Sequence, residues 1–220
     1  MKLFLLCVFC AVLVAHAQVT QLTSPNDLGS GRTTLSFDEF TDYLPANTTY
    51  ASIGITFSRD DGYVVPVLAA TAYGIAVPSS NYVLFSGFYP GIGPTNSYTT
   101  HIVVNSLQPL TQIGAFFGND GYISDFAFQR LSLFGAANEL IGSLDVAVNN
   151  NRNVDQFIGL RSTVPFYHAR FENFTPSGTP SEGYGVALDD LTFTQVPEPS
   201  TWALIGFGAA SIWLFRRRQT

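Results

Sequence analysis

Carboxylates are the residues through which this chain could do chemistry. Residues 18–195 contain fifteen Asp and Glu side chains, and two of them at the right separation would suffice for glycoside hydrolysis. His101 and His168 fall in separate predicted strands, where structural roles are the simpler interpretation than a metal or triad role. Because the separation of carboxylates is set in three dimensions, sequence spacing leaves glycosidase chemistry open.

Other catalytic patterns are absent from the sequence. There is no Gly-x-Ser-x-Gly elbow, no His-Glu-x-x-His and no Gly-x-x-x-x-Gly-Lys, and both cysteines lie within the first ten residues. The glycines at 87, 91 and 93 lack the strand-to-helix setting of a dinucleotide site. We therefore predict that the protein is not an enzyme.

Aromatic residues around a Gly- and Pro-rich stretch are the candidate ligand-binding set. Sugar sites rely on flat aromatic faces, and this chain has no tryptophan before Trp202. A platform would therefore be built from Tyr82, Phe88, Tyr89 and Tyr98. The alternative is a hydrophobic plug that closes one end of the fold.

Short β-branched and aromatic runs bounded by Gly, Pro, Asn and Asp recur along residues 18–195, and helical periodicity is hard to find. The predicted strands are 33–40, 53–57, 63–68, 82–85, 99–105, 111–117, 125–134, 139–148, 156–161, 164–173 and 183–194. Alternation is clearest in 126–134 and 166–171, as a one-sided sheet requires. We predict an all-β, antiparallel β-sandwich of the jelly-roll kind.

The charge of this domain limits its partners. Six arginines (Arg32, Arg59, Arg130, Arg152, Arg161 and Arg170) against fifteen carboxylates give residues 18–195 a net charge of about −9. Such a surface argues against nucleic-acid binding and against adsorption to anionic lipid. The region also has no cysteine, so it must be stable through its core without disulfides.

The first residues have the organisation of a secretory signal peptide. Lys2 precedes an apolar run, and Ala15-His16-Ala17 is a small-x-small cleavage site. The apolar run is about a dozen residues long, too short to span a bilayer comfortably. We expect signal peptidase to cleave after Ala17, so that residues 1–17, with both cysteines, are removed.

Residues 196–220 combine a hinge, an apolar helix and a basic cluster. Pro197-Glu198-Pro199 excludes a continuous helix from the preceding domain. Residues 202–215, from Trp202 to Phe215, carry no charge, and the predicted membrane helix covers about 201–215. Arg216, Arg217 and Arg218 follow it and should keep that side in the cytoplasm, with the domain outside. An ordinary membrane anchor is the alternative interpretation.

This ending resembles the PEP-CTERM sorting signal of bacteria that make extracellular polysaccharide. The likeness covers residues 196–218 and rests on the motif, the apolar run and the arginines together. It implies recognition by exosortase, a membrane transpeptidase-like enzyme, and processing near Pro197-Glu198-Pro199. The protein would then be inserted in the inner membrane before sorting and afterwards lie at the cell surface or in the extracellular matrix.

The domain is similar to exported PEP-CTERM proteins with a galactose-binding-like sandwich. The motifs are 37–40 (Phe-Asp-Glu-Phe), 50–57 (Tyr-Ala-Ser-Ile-Gly-Ile-Thr-Phe) and 188–193 (Leu-Asp-Asp-Leu-Thr-Phe). The resemblance implies a domain that is often non-catalytic, and no particular ligand.

In such a jelly roll the first and last strands lie close together, and the resemblance implies a structural calcium ion between them. Asp38 and Glu39 lie on the first predicted strand, and Asp189 and Asp190 on the last. Adjacent strand residues face opposite ways unless a bulge turns both, and calcium needs six to eight oxygens. The alternative is that Asp189 and Asp190 mark a turn or a charged strand edge.

The function that these features predict is a non-catalytic structural or binding module, exported and sorted into a polysaccharide-rich envelope or biofilm. Two alternatives stay open: a carbohydrate-binding module and a glycoside-active enzyme. The expected partners are signal peptidase, an exosortase-type enzyme, the membrane and extracellular polysaccharide.

Overall fold

Ten antiparallel strands make up the computed structural model, which describes residues 17–40, 44–59, 62, 64–73, 75–79, 81–86, 101–118, 127–149, 151, 153–181 and 185–196. The strands are β1 (Val19–Leu22), β2 (Thr33–Leu35), β3 (Ile55–Ser58), β4 (Val67–Ala69), β5 (Tyr82–Phe85), β6 (His101–Gly118), β7 (Phe128–Phe134), β8 (Leu140–Ala147), β9 (Val154–Phe174) and β10 (Ala187–Gln195). Three 3₁₀ turns cover Pro25–Leu28, Ala51–Ile53 and Ala70–Tyr73. None of the helices within these described ranges is long and apolar enough to cross a membrane.

The strands form a continuous antiparallel sheet in the order β4-β5-β10-β6-β9-β7-β8, with β1 on β9, β2 on β10 and β3 on β6. The two long strands β6 and β9 pair with each other from His101↔Glu172 to Gly118↔Val154. Their length lets each of them take part in two halves of the sheet. The predicted all-β, antiparallel class is confirmed.

Two corners divide the long strands. In β6 the pairing is irregular between Asn105 and Leu110, and in β9 the corresponding break lies between Phe166 and Arg161. Each break carries the sequence Ser-x-x-Pro followed by an apolar residue, at 106–110 and at 162–166. Proline cannot donate to a strand ladder, so it is tolerated at such irregular positions.

Both corner serines make the same contact. The Ser106 hydroxyl donates to the carbonyl of Gln108 at 2.6 Å, and the Ser162 hydroxyl donates to the carbonyl of Val164 at 2.7 Å. These bonds satisfy carbonyl groups that leave the sheet ladder at the corners. Leu110 and Phe166, which follow the prolines, are register partners, so the two corners lie side by side and the sheet folds there.

The folded halves enclose one main core. One half contributes buried residues such as Ile102, Leu131 and Phe171, and the other contributes Ile113 and Phe193. Strand alternation then places the odd-numbered residues of β6 before the corner on the opposite, outer face. The sequence predicted a sandwich from this alternation. The two halves of the sheet, which pack around one core, agree with that prediction.

Close backbone contact in the centre of the sheet requires glycine. Gly114 in β6 is the register partner of Gly159 in β9. A Cβ on Gly114 would lie 2.5 Å from the ring of Phe157 and 2.9 Å from the carbonyl oxygen of Ile158. The Phe157 ring occupies this space and meets Phe116 edge-on at 5.5 Å.

Several predicted strand boundaries are wrong. The predicted strand 33–40 ends at Leu35, because Phe37 has a φ of +61° and Asp38 and Glu39 form a turn. Residues 51–53, at the start of the motif 50–57, form a 3₁₀ turn that ends at Gly54, with a φ of +81°. Four predicted strands are two bent strands in the structure: β6 takes the place of 99–105 and 111–117, and β9 takes the place of 156–161 and 164–173. The sequence did not predict β1.

Candidate functional site

A bulge in β10 brings two aspartates to the same side of the sheet. The register with β6 shifts between Asp189 and Thr192, and Asp190 has a φ of +47°. The Thr192 hydroxyl donates to the carbonyl of Asp190 at 3.0 Å. The sequence argument required such a bulge for both carboxylates to face one loop.

Asp189 is fully buried and anchors the neighbouring loop. Its carboxylate accepts hydrogen bonds from the Ser79 amide at 3.1 Å, from the Ser79 hydroxyl at 2.8 and 2.9 Å, and from the Asp190 amide at 2.7 Å. Burial nevertheless raises the pKa of Asp189 to about 6, with a smaller contribution from the charge of Asp190. Both carboxylate oxygens are therefore engaged by the protein.

Asp190 and Asp38 form the more open part of this site. Burial raises the pKa of Asp190, the Ser79 hydroxyl lowers it, and the charge of Asp38 raises it further. The turn after β2 thus brings Asp38 close to the β10 bulge, as the predicted proximity of the first and last strands requires. We call Asp38, Asp189 and Asp190 with Ser79 the aspartate site.

Glu39 points elsewhere. It accepts a hydrogen bond from the hydroxyl of Tyr50, and burial together with this carboxylate raises the pKa of Tyr50. The Tyr50 ring packs edge-on against Phe37, Phe40 and Phe57, with centroids 5.9 to 6.1 Å apart. The motif residues of 37–40 and 50–57 therefore form an aromatic cluster whose hydroxyl is held by Glu39.

As arranged, these carboxylates are not a ready metal centre. Within the ranges that the structure describes, no group of three or more His, Cys, Asp or Glu side chains is placed to hold a metal ion. Of the four predicted ligands, Asp189 is occupied by Ser79 and Glu39 by Tyr50. The calcium site that the resemblance implies therefore stays a prediction.

The raised pKa of Asp189 predicts a pH dependence of stability. The folded protein holds this proton up to about pH 6, whereas an unfolded aspartate releases it near 3.8. Between these values the folded state binds more protons, so the free energy of unfolding should fall as pH rises, by about 2 to 3 kcal/mol. The measurement is urea unfolding of the protein and of Asp189→Asn from pH 4 to 7.

The asparagine variant is the reference because its side chain does not titrate. The difference in unfolding free energy between wild type and variant should shrink, or reverse in sign, as the pH rises through this window. Two parallel curves would show that Asp189 is ionised in the folded state throughout and that the predicted shift is wrong.

A second polar cluster covers the outer face of β6, β9, β7 and β8. Cross-strand neighbours His101, Glu172, Arg130 and Asp145 form one row over these four strands. Arg130 binds both oxygens of Asp145, at 2.6 and 2.8 Å. Its guanidinium also lies 4.4 Å from the ring centre of Phe174.

Arg170 on the neighbouring strand β9 repeats this arrangement. Arg170 lies 3.3 Å from the buried carboxylate of Glu172, and its guanidinium is 5.5 Å from the ring centre of Phe134. Its Nε atom is buried and has no hydrogen-bond partner. We call Arg130, Asp145, Arg170 and Glu172 with their rings the arginine face. Its positive and negative charges are balanced and held in fixed positions.

His101 and His168 lie beside this face. The Nδ1 of His101 is 3.9 Å from Glu172, and the Nδ1 of His168 is 2.9 Å from the side-chain oxygen of Asn105. Each histidine contacts a neighbour across the β6–β9 ladder, and the two lie at different rows of it. The structural role of each histidine stays a prediction.

The aromatic ligand-binding set can be placed only in part. Tyr82 is half-buried in β5 and packs against the main core. Phe88, Tyr89 and Tyr98 lie outside the described residues, as do Ala15, Pro197, Glu198, Pro199, Trp202, Phe215 and the arginines at 216–218. Ala17 is the first described residue. The packing of Tyr82 favours the plug over the sugar platform for this residue.

The arginine face was not singled out from the sequence. Arg130 and Arg170 were counted only as part of the net charge, and Phe128, Phe134 and Phe174 as core material. The signal was the alternation in 126–134, which places Arg130 on the same side of its strand as Phe128 and Phe134.

The last strand leads directly into a recognised signal. Residues 195–218 match the PEP-CTERM protein-sorting motif, so the chain carries this sorting signal and the predicted resemblance is confirmed. No curated protein sequence matches the chain.

Several solved structures are similar to the domain. The K2 cleaved adhesin domain of Lys-gingipain shares 15% identity and a TM-score of 0.47, over 74% of this chain and 99% of that domain. An arabinose-bound α-L-arabinofuranosidase shares 10% identity and a TM-score of 0.46, over 79% of this chain and 26% of the enzyme. A DUF4465 family protein from Bacteroides caccae shares 13% identity and a TM-score of 0.43, over 81% of this chain and 100% of that protein.

Proposed function

We propose that this protein is exported, sorted through Pro197-Glu198-Pro199 by an exosortase-type enzyme, and placed at the cell surface or in the extracellular matrix. The observation that carries the proposal is the sorting motif at 195–218, which begins at Gln195, the last residue of β10. The folded domain thus ends where the signal starts. Signal peptidase would act first, after Ala17, and the helix at 201–215 would hold the chain in the inner membrane until sorting.

Cell fractionation with and without the sorting enzyme tests this proposal. In cells that have the enzyme, we expect the domain at the surface or in the matrix. In cells that lack it, the longer chain should accumulate in the inner membrane. Identical distribution in both strains would refute sorting by this enzyme and leave an ordinary anchor as the explanation.

We further propose that the domain is a non-catalytic, galactose-binding-like jelly roll in a polysaccharide-rich envelope. The absence of nucleophile motifs from the sequence supports this. In the arginine face, Glu172 and Asp145 are held by arginines, an arrangement typical of structural ion pairs. The arginine face also combines charged groups with aromatic rings, from which a binding function could come.

A glycan array probed with the domain (18–195) distinguishes the alternatives. A structural module should bind no glycan. A carbohydrate-binding module on the arginine face should bind and lose binding in Arg170→Ala but not in Arg32→Ala, which changes the charge equally near β2. Turnover of matrix polysaccharide that disappears in Glu172→Gln would instead establish a glycoside-active enzyme.

The aspartate site supports a second, more limited proposal, which is calcium bound by Asp38 and Asp190. The charge of Asp38 raises the pKa of Asp190, and a divalent cation between the two would offset this repulsion. A bound ion stabilises the folded state by mass action. We therefore expect a lower unfolding temperature in EGTA than in excess calcium.

Two variants make the calcium prediction specific. Asp190→Asn should abolish the difference between EGTA and calcium. Asp145→Asn removes the same charge from the arginine face and should keep the difference. The proposal would be refuted by wild-type unfolding curves that coincide in calcium and EGTA.

A further inference from the structure

The chain leaves the domain beside the corner of β6. Val196 donates its amide to the carbonyl of Pro109 at 2.8 Å, so the exit of the chain is fixed to the β6 corner. The side chain of Gln195 donates to the carbonyl of Ile53 at 3.0 Å, and the Leu107 amide donates to the carbonyl of Gly54 at 2.8 Å. The 3₁₀ turn before β3 is thereby joined to the same place.

We call this region the exit corner: residues 51–54, 106–109, 162–165 and 195–196. The β9 corner belongs to it because Leu110 pairs with both Phe166 and Gln195. None of these residues is charged, although the domain carries about −9. These residues themselves therefore add no charge that would oppose contact with anionic lipid.

Large apolar side chains are exposed at the exit corner. Leu107 is 76% exposed, more than any other large apolar side chain of the described ranges, and Ile53 is 41% exposed. Gly54 lies between them, and a Cβ there would be 3.5 Å from the Cβ of Leu107. Exposed leucine at the tip of a folded corner contributes nothing to the core, and contact with an apolar partner would bury it.

The short connection to the membrane helix identifies that partner. Four residues separate Val196 from the predicted helix at 201–215, and a chain of this length reaches at most about 18 Å. The headgroup layer takes up roughly 6 Å of that. The exit corner is therefore confined to within about 12 Å of the lipid surface for as long as the chain is anchored.

We propose that Leu107 and Ile53 insert into the headgroup region of the membrane while the protein awaits sorting. This inference rests on the proposed function, because the membrane helix of the sorting signal brings the corner to the lipid. Contact would hold the domain in one orientation and present Pro197-Glu198-Pro199 at a constant height above the bilayer. A tether of four residues without this contact would leave the domain free to tilt.

The test uses single cysteines in the exported chain, which has none once the signal peptide is removed. Leu107→Cys carries an environment-sensitive fluorophore, and the protein is reconstituted through its own helix into vesicles that contain spin-labelled lipid. Ser177→Cys is the matched control. It lies in the exposed turn that follows Phe174, the last residue of β9. Phe174 is eight residues along the strand, or ~26 Å, from Phe166, which adjoins the exit corner, so the control label lies far from that corner.

Flotation with the vesicles shows whether the C-terminal helix is inserted in the membrane. Fluorescence shows whether residue 107 contacts lipid. We expect both variants to float and only the label at 107 to shift to shorter wavelength and to be quenched by the spin-labelled lipid. Flotation with equal, unquenched emission from both labels would overturn the inference and leave the anchor intact. If the protein does not float with the vesicles, both the further inference and the proposed membrane insertion are overturned. If the emission at 107 shifts only when the sorting enzyme is added and is not quenched by the spin-labelled lipid, the exit corner contacts the enzyme and not the lipid, and the inference is overturned.

Discussion

Replacing Pro197-Glu198-Pro199 by three alanines should abolish processing while leaving the protein in the membrane. Insertion depends on the apolar run and on the arginines that follow it, and neither is changed. Recognition depends on the hinge, and three alanines favour a helix that would continue from the membrane segment. Immunoblotting of membrane and released fractions would show the longer chain accumulating in the membrane.

A matched variant separates recognition from general disturbance of this segment. Gln219→Ala lies beyond the arginines and outside the motif, so it should be processed like wild type. Release of the alanine triple variant at the wild-type rate would mean that the prolines are only a linker and that the ordinary anchor is the correct interpretation.

Gly118→Ala should destabilise the domain by about 3 kcal/mol, the upper part of the range for overpacked sites. A Cβ at this position would lie 1.9 Å from the carbonyl oxygen of Asn153 and 2.6 Å from the Cα of Val154. Both are backbone atoms, so no side-chain rotation relieves the clash. The β6 and β9 strands would have to separate where they pair at Gly118↔Val154.

Separation of the two strands would also displace Asn153 and Val154 from their hydrogen-bond partner, Ala76. The side chain of Asn153 accepts a hydrogen bond from the Ala76 amide at 3.3 Å, and the Val154 amide donates to the carbonyl of Ala76 at 2.9 Å. Loss of these bonds adds to the cost of the variant. The measurement is the midpoint and slope of urea unfolding, monitored by circular dichroism.

Gly31→Ala provides the control. No atom lies within 4 Å of a Cβ at this exposed position, and its φ is outside the left-handed region. Its free energy of unfolding should change by less than about 0.5 kcal/mol. Equal stability of the two variants would mean that the strands at Gly118 are farther apart than the structure places them.

Residue type and pattern alone determined the class of fold and the sorting signal. Alternation of apolar and polar residues specifies one buried face per strand, because successive side chains of a strand point to opposite sides. The proline hinge, the apolar run and the arginines act through local backbone geometry and transfer to lipid. Neither requires a distant contact, so both can be recognised in the linear chain.

The sequence showed where strand pairing is interrupted at the corners, but not whether the strands end or bend there. The predicted strands left gaps at 106–110 and 162–163, which lie at the two corners. Whether a break ends a strand or bends it depends on whether the neighbouring strand bends at the same place. Because Leu110 and Phe166 are partners, β6 and β9 continue through their corners together.

Tertiary structure alone decided which polar side chains meet. The motif Asp189-Asp190 was recognised, but only the bulge against β6 and the left-handed backbone of Asp190 turn both carboxylates toward Ser79. Asp38 and Glu39, adjacent in sequence, separate into the aspartate site and the aromatic cluster because Phe37 leaves the strand conformation. The row of His101, Glu172, Arg130 and Asp145 draws on four strands, and its register depends on the packing of the whole sheet. Pairing between residues far apart in the chain is a property of the folded core, which no local pattern specifies.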